Sequence, residues 1–272
     1  MRRAAVLLAA LALGACSGQD VLGQVASSPG SIGTGEQRVM VAVVELSSGA
    51  IVTDPDITPV ALLRDEIGSP IGEYEGEFVW TIPDEVGLYS FRFDIPGPAT
   101  YQFTLDAGSL GEIGPIGFDA VEDPVQVTVG ETAPLSETRT LEDAPIEDLT
   151  SDTSPEEAYY EMTVAEAIQS GPSVIVFATP AWCTSQSCGP MLDQVQAIDS
   201  EYPNLNFVHV EVYENIHVTD RNDLVVVPAV GEWGIPSEPW LYVVDGGGTV
   251  TAHFEGAVSD EELRSALDAV AG

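Results

Sequence analysis

The residues best suited to covalent chemistry in this sequence are its cysteines, of which there are three in 272 residues. Cys183 and Cys188 lie five positions apart, and Cys16 lies near the amino terminus. A thiolate attacks disulfides and binds soft metal ions. A closely spaced pair of cysteines can therefore be a redox centre, a structural cross-link or part of a metal site, and the surrounding elements must decide between these.

The amino-terminal residues predict export. Residues 1–3 read MRR, residues 4–13 are an uninterrupted apolar run, and residues 13–16 read LGAC. This pattern is typical of a signal peptide over residues 1–15, too short to remain as a membrane span. It also resembles the bacterial lipobox, which implies that Cys16 is lipidated and anchors the chain on the extracytoplasmic side of a bacterial membrane, in the cell envelope. An ordinary cleaved signal is the alternative.

Lipidation of Cys16 leaves Cys183 and Cys188 as a single pair in an oxidising compartment. Such a pair can stabilise the fold or exchange disulfides with other proteins. Closing so short a loop removes less entropy from the unfolded chain than closing a long one. A purely structural disulfide therefore gains little here, which favours a redox function.

The charge balance excludes nucleic acid as a partner. The sequence has 44 acidic residues, eight arginines and no lysine, for a formal net charge of -36. A surface this acidic repels phosphate backbones. The acidic residues are scattered along the chain, which favours a solvating coat over a single acidic docking face.

The length of the chain favours two domains. Residues 16–36 are rich in Gly and Ser and predict a flexible, lipidated tether. Residues 37–130 contain short β-type runs, including residues 125–129, and predict an all-β sandwich that is immunoglobulin-like in outline. Within it, the regularly spaced glycines of residues 108–117 predict a surface loop. Residues 131–158 combine Pro, Thr and acidic residues and predict a linker.

Residues 159–272 predict an α/β domain, because helical patterns alternate there with apolar strands. Thr163 with Glu166, and Ser259 with Glu262, have the spacing of capping boxes that begin helices. Between them the pattern predicts a helix directly after the cysteines, a short helix near residues 230–233, and strands near residues 173–178, 207–212, 240–244 and 249–254.

Three segments of this second domain carry a resemblance to a known family. Residues 174–183 (VIVFATPAWC) are an apolar strand that runs into a Trp-Cys turn. Residues 188–190 read CGP, and residues 235–245 (IPSEPWLYVVD) place a proline at the start of a later strand. In this order the segments resemble the thioredoxin superfamily, and the resemblance covers residues 159–272.

The resemblance implies a thioredoxin-like fold and a thiol-disulfide oxidoreductase that acts on the thiols and disulfides of exported proteins without a cofactor. Cys183 and Cys188 would be its catalytic cysteines, because a thiolate at a helix N-terminus is stabilised by the helix dipole and by free N–H groups. Trp182, Glu238 and Pro239 would bind the substrate. In the family that proline is cis and lies against the cysteines.

The sequence departs from the family pattern in three ways. Four residues separate the cysteines where the family has two, and across a regular helix their Cα atoms would lie about 8 Å apart, whereas a disulfide needs less than about 7 Å. Cys183 is therefore expected in a loop before the helix, or the helix must unwind locally. Either cysteine can be aligned with the nucleophile, although the preceding strand favours Cys183. Residues 173–178 also lack the buried acid that assists proton transfer in many family members.

Other functions stay open beside this one. The disulfide could be structural in a non-catalytic binding lipoprotein. Atypical two-cysteine peroxiredoxins share the spacing, but they need a threonine where this chain has Pro180 and an arginine facing the sulfur, for which only Arg221 and Arg264 lie downstream. A copper site would need a histidine beside the cysteines. No metal is expected, because there is no ligand spacing among His209, His217 and His253.

Overall fold

The computed structural model describes residues 20–272. Within this part of the chain the strands form two sheets, one in each half of the sequence. The predicted signal peptide of residues 1–15 and the predicted lipidation of Cys16 lie outside the described residues.

In the described residues the first sheet has seven strands. They are β1 (Val21–Val25), β2 (Gly35–Glu45), β3 (Val60–Arg64), β4 (Pro70–Ile82), β5 (Val86–Ile95), β6 (Ala99–Asp106) and β7 (Glu112–Ala120). Their order is β1-β2-β5-β4-β3-β6-β7, and each pairing is antiparallel. Gly23 of β1 approaches Ile116 of β7 so closely that a Cβ atom would collide with the isoleucine side chain. The sheet is therefore nearly closed.

β4 joins the two halves of this sheet. Its residues 70–75 pair with β3, and its residues 76–82 pair with β5. Where the partner changes, the ring of Phe91 lies against Gly76, so that any side chain there would collide with it. The prediction of β structure is confirmed, and β4 connects the side of the sheet that contains β1, β2 and β5 to the side that contains β3, β6 and β7.

The core of the first half lies inside the curled sheet. Val39, Val41 and Val43 of β2 alternate into it and are fully buried or nearly so. Phe93 stacks on Phe118 with ring centroids 5.9 Å apart. Because side chains alternate across a strand, one face of each strand supplies this core.

The predicted flexible tether of residues 16–36 is wrong for its described part. β1 lies within it and pairs with β2, from Val21 opposite Glu45 to Val25 opposite Val41. Ile32 is buried in the core of the sheet. Composition alone underestimates such a strand, because its stability comes from pairing and packing with a neighbour.

Two further predictions in the β region are wrong. Residues 112–117 of the predicted glycine-rich loop belong to β7, which buries Ile113 and Ile116. Residues 125–129, predicted as a strand of this domain, form no regular strand. Instead, Val127 donates its N–H to the carbonyl of Trp233 in the other half at 3.0 Å. Short apolar or glycine patterns do not reveal a pairing partner that is distant in sequence.

In the described residues the second sheet has four strands. β8 (Ser173–Ala178) is parallel to β9 (Asn206–Glu211) and antiparallel to β10 (Trp240–Val244), which pairs antiparallel with β11 (Val250–Glu255). The order is β11-β10-β8-β9. All six residues of β8 are buried, so the strand that leads to the cysteines is central.

Helices cover both faces of the second sheet. The helices are α1 (Val164–Ser170), α2 (Cys188–Gln196), α3 (Pro228–Glu232) and α4 (Asp260–Ala271). α2 and α4 pack on one face, and α1 and α3 pack on the other. The capping boxes of Thr163 with Glu166 and of Ser259 with Glu262 are both formed. The predicted starts of α1 and α4 are therefore confirmed.

Residues 131–158, predicted as a linker, have no strand or α-helix of their own but are packed onto the second sheet. Ala133 donates its N–H to the carbonyl of Gly248 at 2.9 Å. Leu149 is buried in the core that α2 and α4 share. The segment therefore connects the two halves while belonging to the packing of the second.

The two halves also meet through charged groups. Arg38 of β2 donates to both carboxylate oxygens of Glu262 at 2.8 and 2.9 Å, and Arg92 of β5 donates to one of them at 2.8 Å. Met40 and Val79 pack in one cluster with Ala257. Since Glu262 also closes the capping box of α4, one carboxylate serves both a helix and the contact between the halves.

Candidate functional site

The two cysteines lie where β8 turns into α2. β8 ends at Ala178, and Cys188 is the first residue of α2. Cys183 lies in the turn between them and forms a disulfide with Cys188, with Cα atoms 6.0 Å apart. The expectation that Cys183 precedes the helix is confirmed, because the turn brings the two Cα atoms closer than a helix would.

The two cysteines differ in burial. Cys188 is fully buried, whereas Cys183 is half-buried at the surface of the turn. A sulfur atom that arrives from solvent therefore meets Cys183 first. The geometry gives the two cysteines the unequal exposure that an attacking and a resolving cysteine need.

Two donors face the sulfur of Cys183. The backbone N–H of Cys188 donates to Sγ at 3.3 Å, and the hydroxyl of Ser185 lies 3.2 Å from Sγ. The hydroxyl of Ser187 lies 2.8 Å from that of Ser185 and extends this chain of donors. Together with the dipole of α2, these groups favour negative charge on a Cys183 sulfur released by reduction.

Trp182 is held by the segment that follows β9, residues 213–227, which folds back on itself. The indole N–H donates to the carbonyl of Ile216 at 3.1 Å, and the guanidinium of Arg221 donates to the carbonyl of Trp182. Arg221 thus reaches the residue before Cys183. Among the described residues it makes no hydrogen bond to either sulfur atom.

Glu238 and Pro239 directly precede β10, and the peptide bond between them is cis. Pro239 is buried and Glu238 is half-buried. Burial raises the pKa of Glu238, and the charge of Arg221 opposes this only in part. Arg221 also contacts Trp182, so one arginine bonds to the turn that carries Trp182 and acts through its charge on Glu238. In residues 20–272 no hydrogen bond joins Glu238 or Pro239 to a cysteine.

A buried carboxyl that the sequence analysis missed lies beside the cysteine turn. Glu211 is the last residue of β9, pairs with Ala178 of β8, and is 6% exposed. One carboxyl oxygen accepts the N–H and the hydroxyl of Ser151, at 2.9 and 2.6 Å. The hydroxyl of Ser151 in turn accepts the N–H of Ala181 at 3.1 Å. A buried acid therefore lies near the cysteine turn, on the strand that neighbours β8.

The second oxygen of Glu211 has no hydrogen-bond partner in the described part of the chain. Burial raises the pKa of this carboxyl, and the polar groups of Ser151, Thr179 and Val212 oppose the shift without cancelling it. A lone acid within the apolar run of residues 207–212 (FVHVEV) is the sequence signal that could have found it.

His209 lies two residues before Glu211 on β9 and is 4% exposed. Its Nε2 lies 3.1 Å from the carbonyl of Ala178, and its Nδ1 lies 2.6 Å from the hydroxyl of Tyr160. Since a carbonyl can only accept, Nε2 carries the proton and Nδ1 accepts from Tyr160. Burial lowers the pKa of His209 to about 4. This histidine is neutral and holds the end of β8 in place.

The remaining histidines lie elsewhere. His217 contacts Asp148 at 2.8 Å, and the ring of His253 lies 5.5 Å from that of Trp240, measured between centroids. In residues 20–272 no three side chains of the types His, Cys, Asp and Glu are grouped so as to hold a metal ion. No helix in the same residues is long and apolar enough to cross a membrane.

Among solved structures, the chain is similar to one described as "a putative Thiol:disulfide interchange protein DsbE from Chlorobium tepidum". The TM-score is 0.38 and the identity is 13%, and the match covers 54% of this chain and 99% of that chain. No protein-family model and no curated protein matches the sequence. A likeness at this TM-score supports no argument, so the interpretation of the site depends on the geometry of the cysteines.

Proposed function

We propose that the protein is a thiol-disulfide oxidoreductase of the cell envelope that acts on exported proteins through Cys183 and Cys188. The observation that carries this proposal is the asymmetric disulfide at the start of α2. Cys183 is half-exposed and faces the N–H of Cys188, while Cys188 is buried. A disulfide with no function beyond stability does not need one sulfur exposed and surrounded by donors.

In the proposed reaction the Cys183 thiolate of the reduced protein attacks one sulfur of a partner's disulfide. A mixed disulfide forms, and the partner's other sulfur leaves as a thiolate that takes up a proton. Cys188 then loses its proton and attacks the Cys183 sulfur. This second step releases the partner as a dithiol and restores the Cys183–Cys188 disulfide. The reverse sequence oxidises a partner dithiol.

The proposal includes a thioredoxin-like fold for residues 159–272, separate from a β domain that contains β1 to β7. It is supported by the order of elements: β8, α2 and a parallel β9, followed by α3, antiparallel β10 and β11, and α4. The resemblance of residues 174–183, 188–190 and 235–245 assigns Trp182, Glu238 and Pro239 to the binding of an extended partner segment.

The envelope location and the lipid anchor at Cys16 belong to the same proposal. They are supported by the pattern of residues 1–16 and by the oxidising compartment that a lasting disulfide requires. We expect the wild-type protein to incorporate radiolabelled palmitate when it is expressed in a bacterial host, and we expect Cys16→Ser not to incorporate it.

The redox function is tested by the reduction potential of the pair. The protein is equilibrated in thiol redox buffers and alkylated, and the mass shift counts free thiols. We expect a potential between about -120 and -270 mV, as in thiol-disulfide exchange proteins, whereas structural disulfides lie below about -300 mV. Reduced protein should also reduce insulin.

The Cys188→Ser variant should accumulate a mixed disulfide with a partner through Cys183, and Cys183→Ser should not. A pair that stays oxidised under strong reductant, with no insulin reduced, would establish the rival function of a binding protein with a structural disulfide. Rapid stoichiometric consumption of peroxide would instead favour the peroxiredoxin-like function.

A further inference from the structure

Serines from both ends of the chain converge on the carboxylate of Glu255. Ser28 lies between β1 and β2 and donates its backbone N–H to the two carboxylate oxygens at 3.0 and 3.1 Å, and its hydroxyl to one of them. Ser237 donates its hydroxyl to that same oxygen at 3.0 Å. The hydroxyls of Ser28 and Ser237 lie 3.0 Å apart. Hydrogen bonds to a carboxylate are among the stronger ones in proteins.

This cluster adjoins the loop that carries the proposed partner-binding residues. Glu255 ends β11 and pairs with Trp240, the first residue of β10. Ser237 lies two residues before Pro239, and the carbonyl of Pro239 accepts the N–H of Gly256 at 2.9 Å. Both sides of residues 237–239 are therefore tied to the end of β11.

The segment that carries Ser28 is itself fixed to its surroundings. The hydroxyl of Ser27 accepts the N–H of Met40 in β2 at 3.1 Å. The hydroxyl of Ser31 donates to the carbonyl of Ser28 at 2.7 Å, and the amide of Gln126 donates to the carbonyl of Ser31 at 2.8 Å. Ser28 thus connects a segment that is hydrogen-bonded to the first half with a loop of the second half.

We propose that Ser28 is a positioning residue for the partner-binding loop. Through Glu255 and Ser237 it holds residues 235–239 in the conformation that receives an extended segment of a protein disulfide beside Cys183. The proposal rests on the proposed function and assigns the first half of the chain a part in it. That half sets the affinity for a protein substrate and leaves the chemistry of sulfur exchange unchanged.

The test compares full-length wild-type protein with Ser28→Ala, which keeps the backbone donor and loses the hydroxyl. KM and kcat are measured for insulin reduction, and the rate is measured with the small disulfide 5,5′-dithiobis(2-nitrobenzoate). We expect KM for insulin to rise about fivefold, the effect of one hydrogen bond, with kcat and the small-disulfide rate unchanged. Because Ser28 acts through Ser237, the double variant with Ser237→Ala should show less than the product of the two single effects.

The matched control is Arg92→Gln, which weakens the contact between the same two halves at Glu262 without touching the Ser28 cluster. Its KM should stay at the wild-type value, and amide exchange of residues 235–240 should accelerate only in Ser28→Ala. Equal KM changes in both variants, or none in Ser28→Ala, would overturn the positioning role alone. A wild-type protein that reduces neither disulfide would overturn the proposed function and this inference with it.

Discussion

At the scale of single residues, the four residues between Cys183 and Cys188 bring hydroxyl groups to the sulfur of Cys183. The four intervening residues include Ser185, which lies 3.2 Å from Sγ of Cys183, and Ser187, which contacts Ser185. The backbone N–H of Cys188 supplies a second donor to the same sulfur. The four-residue spacing therefore places a side-chain donor at the atom where charge develops.

Ser185→Ala should slow the reaction of the reduced protein with an alkylating reagent. A hydrogen bond to a thiolate favours its ionised form, so we expect the rate of Cys183 alkylation by iodoacetamide at pH 7 to fall about threefold to fivefold. Mass spectrometry of the modified peptide measures this rate. Thr184→Ala is the matched control, since that exposed side chain makes no hydrogen bond to a sulfur atom in residues 20–272. An unchanged rate in Ser185→Ala would show that its hydroxyl does not stabilise the thiolate.

Glu211→Gln should alter how stability depends on pH. Burial raises the pKa of Glu211 in the folded protein above its value in the unfolded chain, so its contribution is present below pH 4.5 and is lost as pH rises through the raised pKa. Glutamine does not ionise. The free energy of urea unfolding should therefore fall more between pH 4.5 and pH 8 in the wild-type protein than in Glu211→Gln. The exposed Glu157→Gln is the control, and equal changes in all three proteins would contradict the expectation.

At the scale of elements, the sequence predicted those parts whose signal is local. The capping boxes located the starts of α1 and α4, and the apolar run of residues 174–178 identified β8. β1 and β7 were missed because their glycines weaken the local signal, while their stability comes from partners far away in sequence.

The candidate site also has one part that the sequence predicted and another part that it did not. The cysteine turn followed from sequence order, whereas Glu211 was missed because its importance comes from the parallel pairing of β9 with β8. The fixing of residues 235–239 by Ser28 depends on a contact across 227 positions, which no pattern within a single element reveals.

Residues 149–160 pack on β9, and we expect the strength of this packing to depend on pH through His209. His209 accepts from Tyr160 only when it is neutral, and its pKa is lowered from 6.5 to about 4 by burial. A base with a lowered pKa stabilises the fold above its ordinary pKa, and this stability is lost as pH falls towards 4, by about 3 kcal/mol in all. His209→Gln should therefore lose less stability than wild type between pH 7 and pH 4 in urea unfolding. The exposed His217→Gln should behave as wild type, and identical slopes for His209→Gln and wild type would contradict this role.

At the scale of the whole molecule, the two halves are joined by charges that are largely removed from water. The side chains of Arg38 and Glu262 are 10% and 6% exposed, whereas that of Arg92 is 52% exposed. The guanidinium of Arg38 also lies over the ring of Phe254, 5.5 Å from its centroid. Removing one partner of a buried ion pair leaves an uncompensated charge, while removing an exposed partner costs little. Arg38 is therefore the more important arginine of the two.

Arg38→Met should lower the free energy of unfolding at pH 7 by about 3 to 5 kcal/mol, and Arg92→Met by less than about 1 kcal/mol. Burial would raise the pKa of Glu262, but the charge and hydrogen bonds of Arg38, with the charge of Arg92, lower it below its ordinary value of 4.5. A carboxyl with a lowered pKa contributes stability above pH 4.5 that is lost as pH falls through the lowered pKa. The difference in the free energy of urea unfolding between wild type and Arg38→Met should therefore shrink between pH 7 and pH 3.

Because the same carboxylate caps α4 and joins the halves, wild type should unfold in one transition at pH 7 and Arg38→Met in two. A single transition in both proteins, with a difference that does not depend on pH, would show that the halves are held together by other contacts.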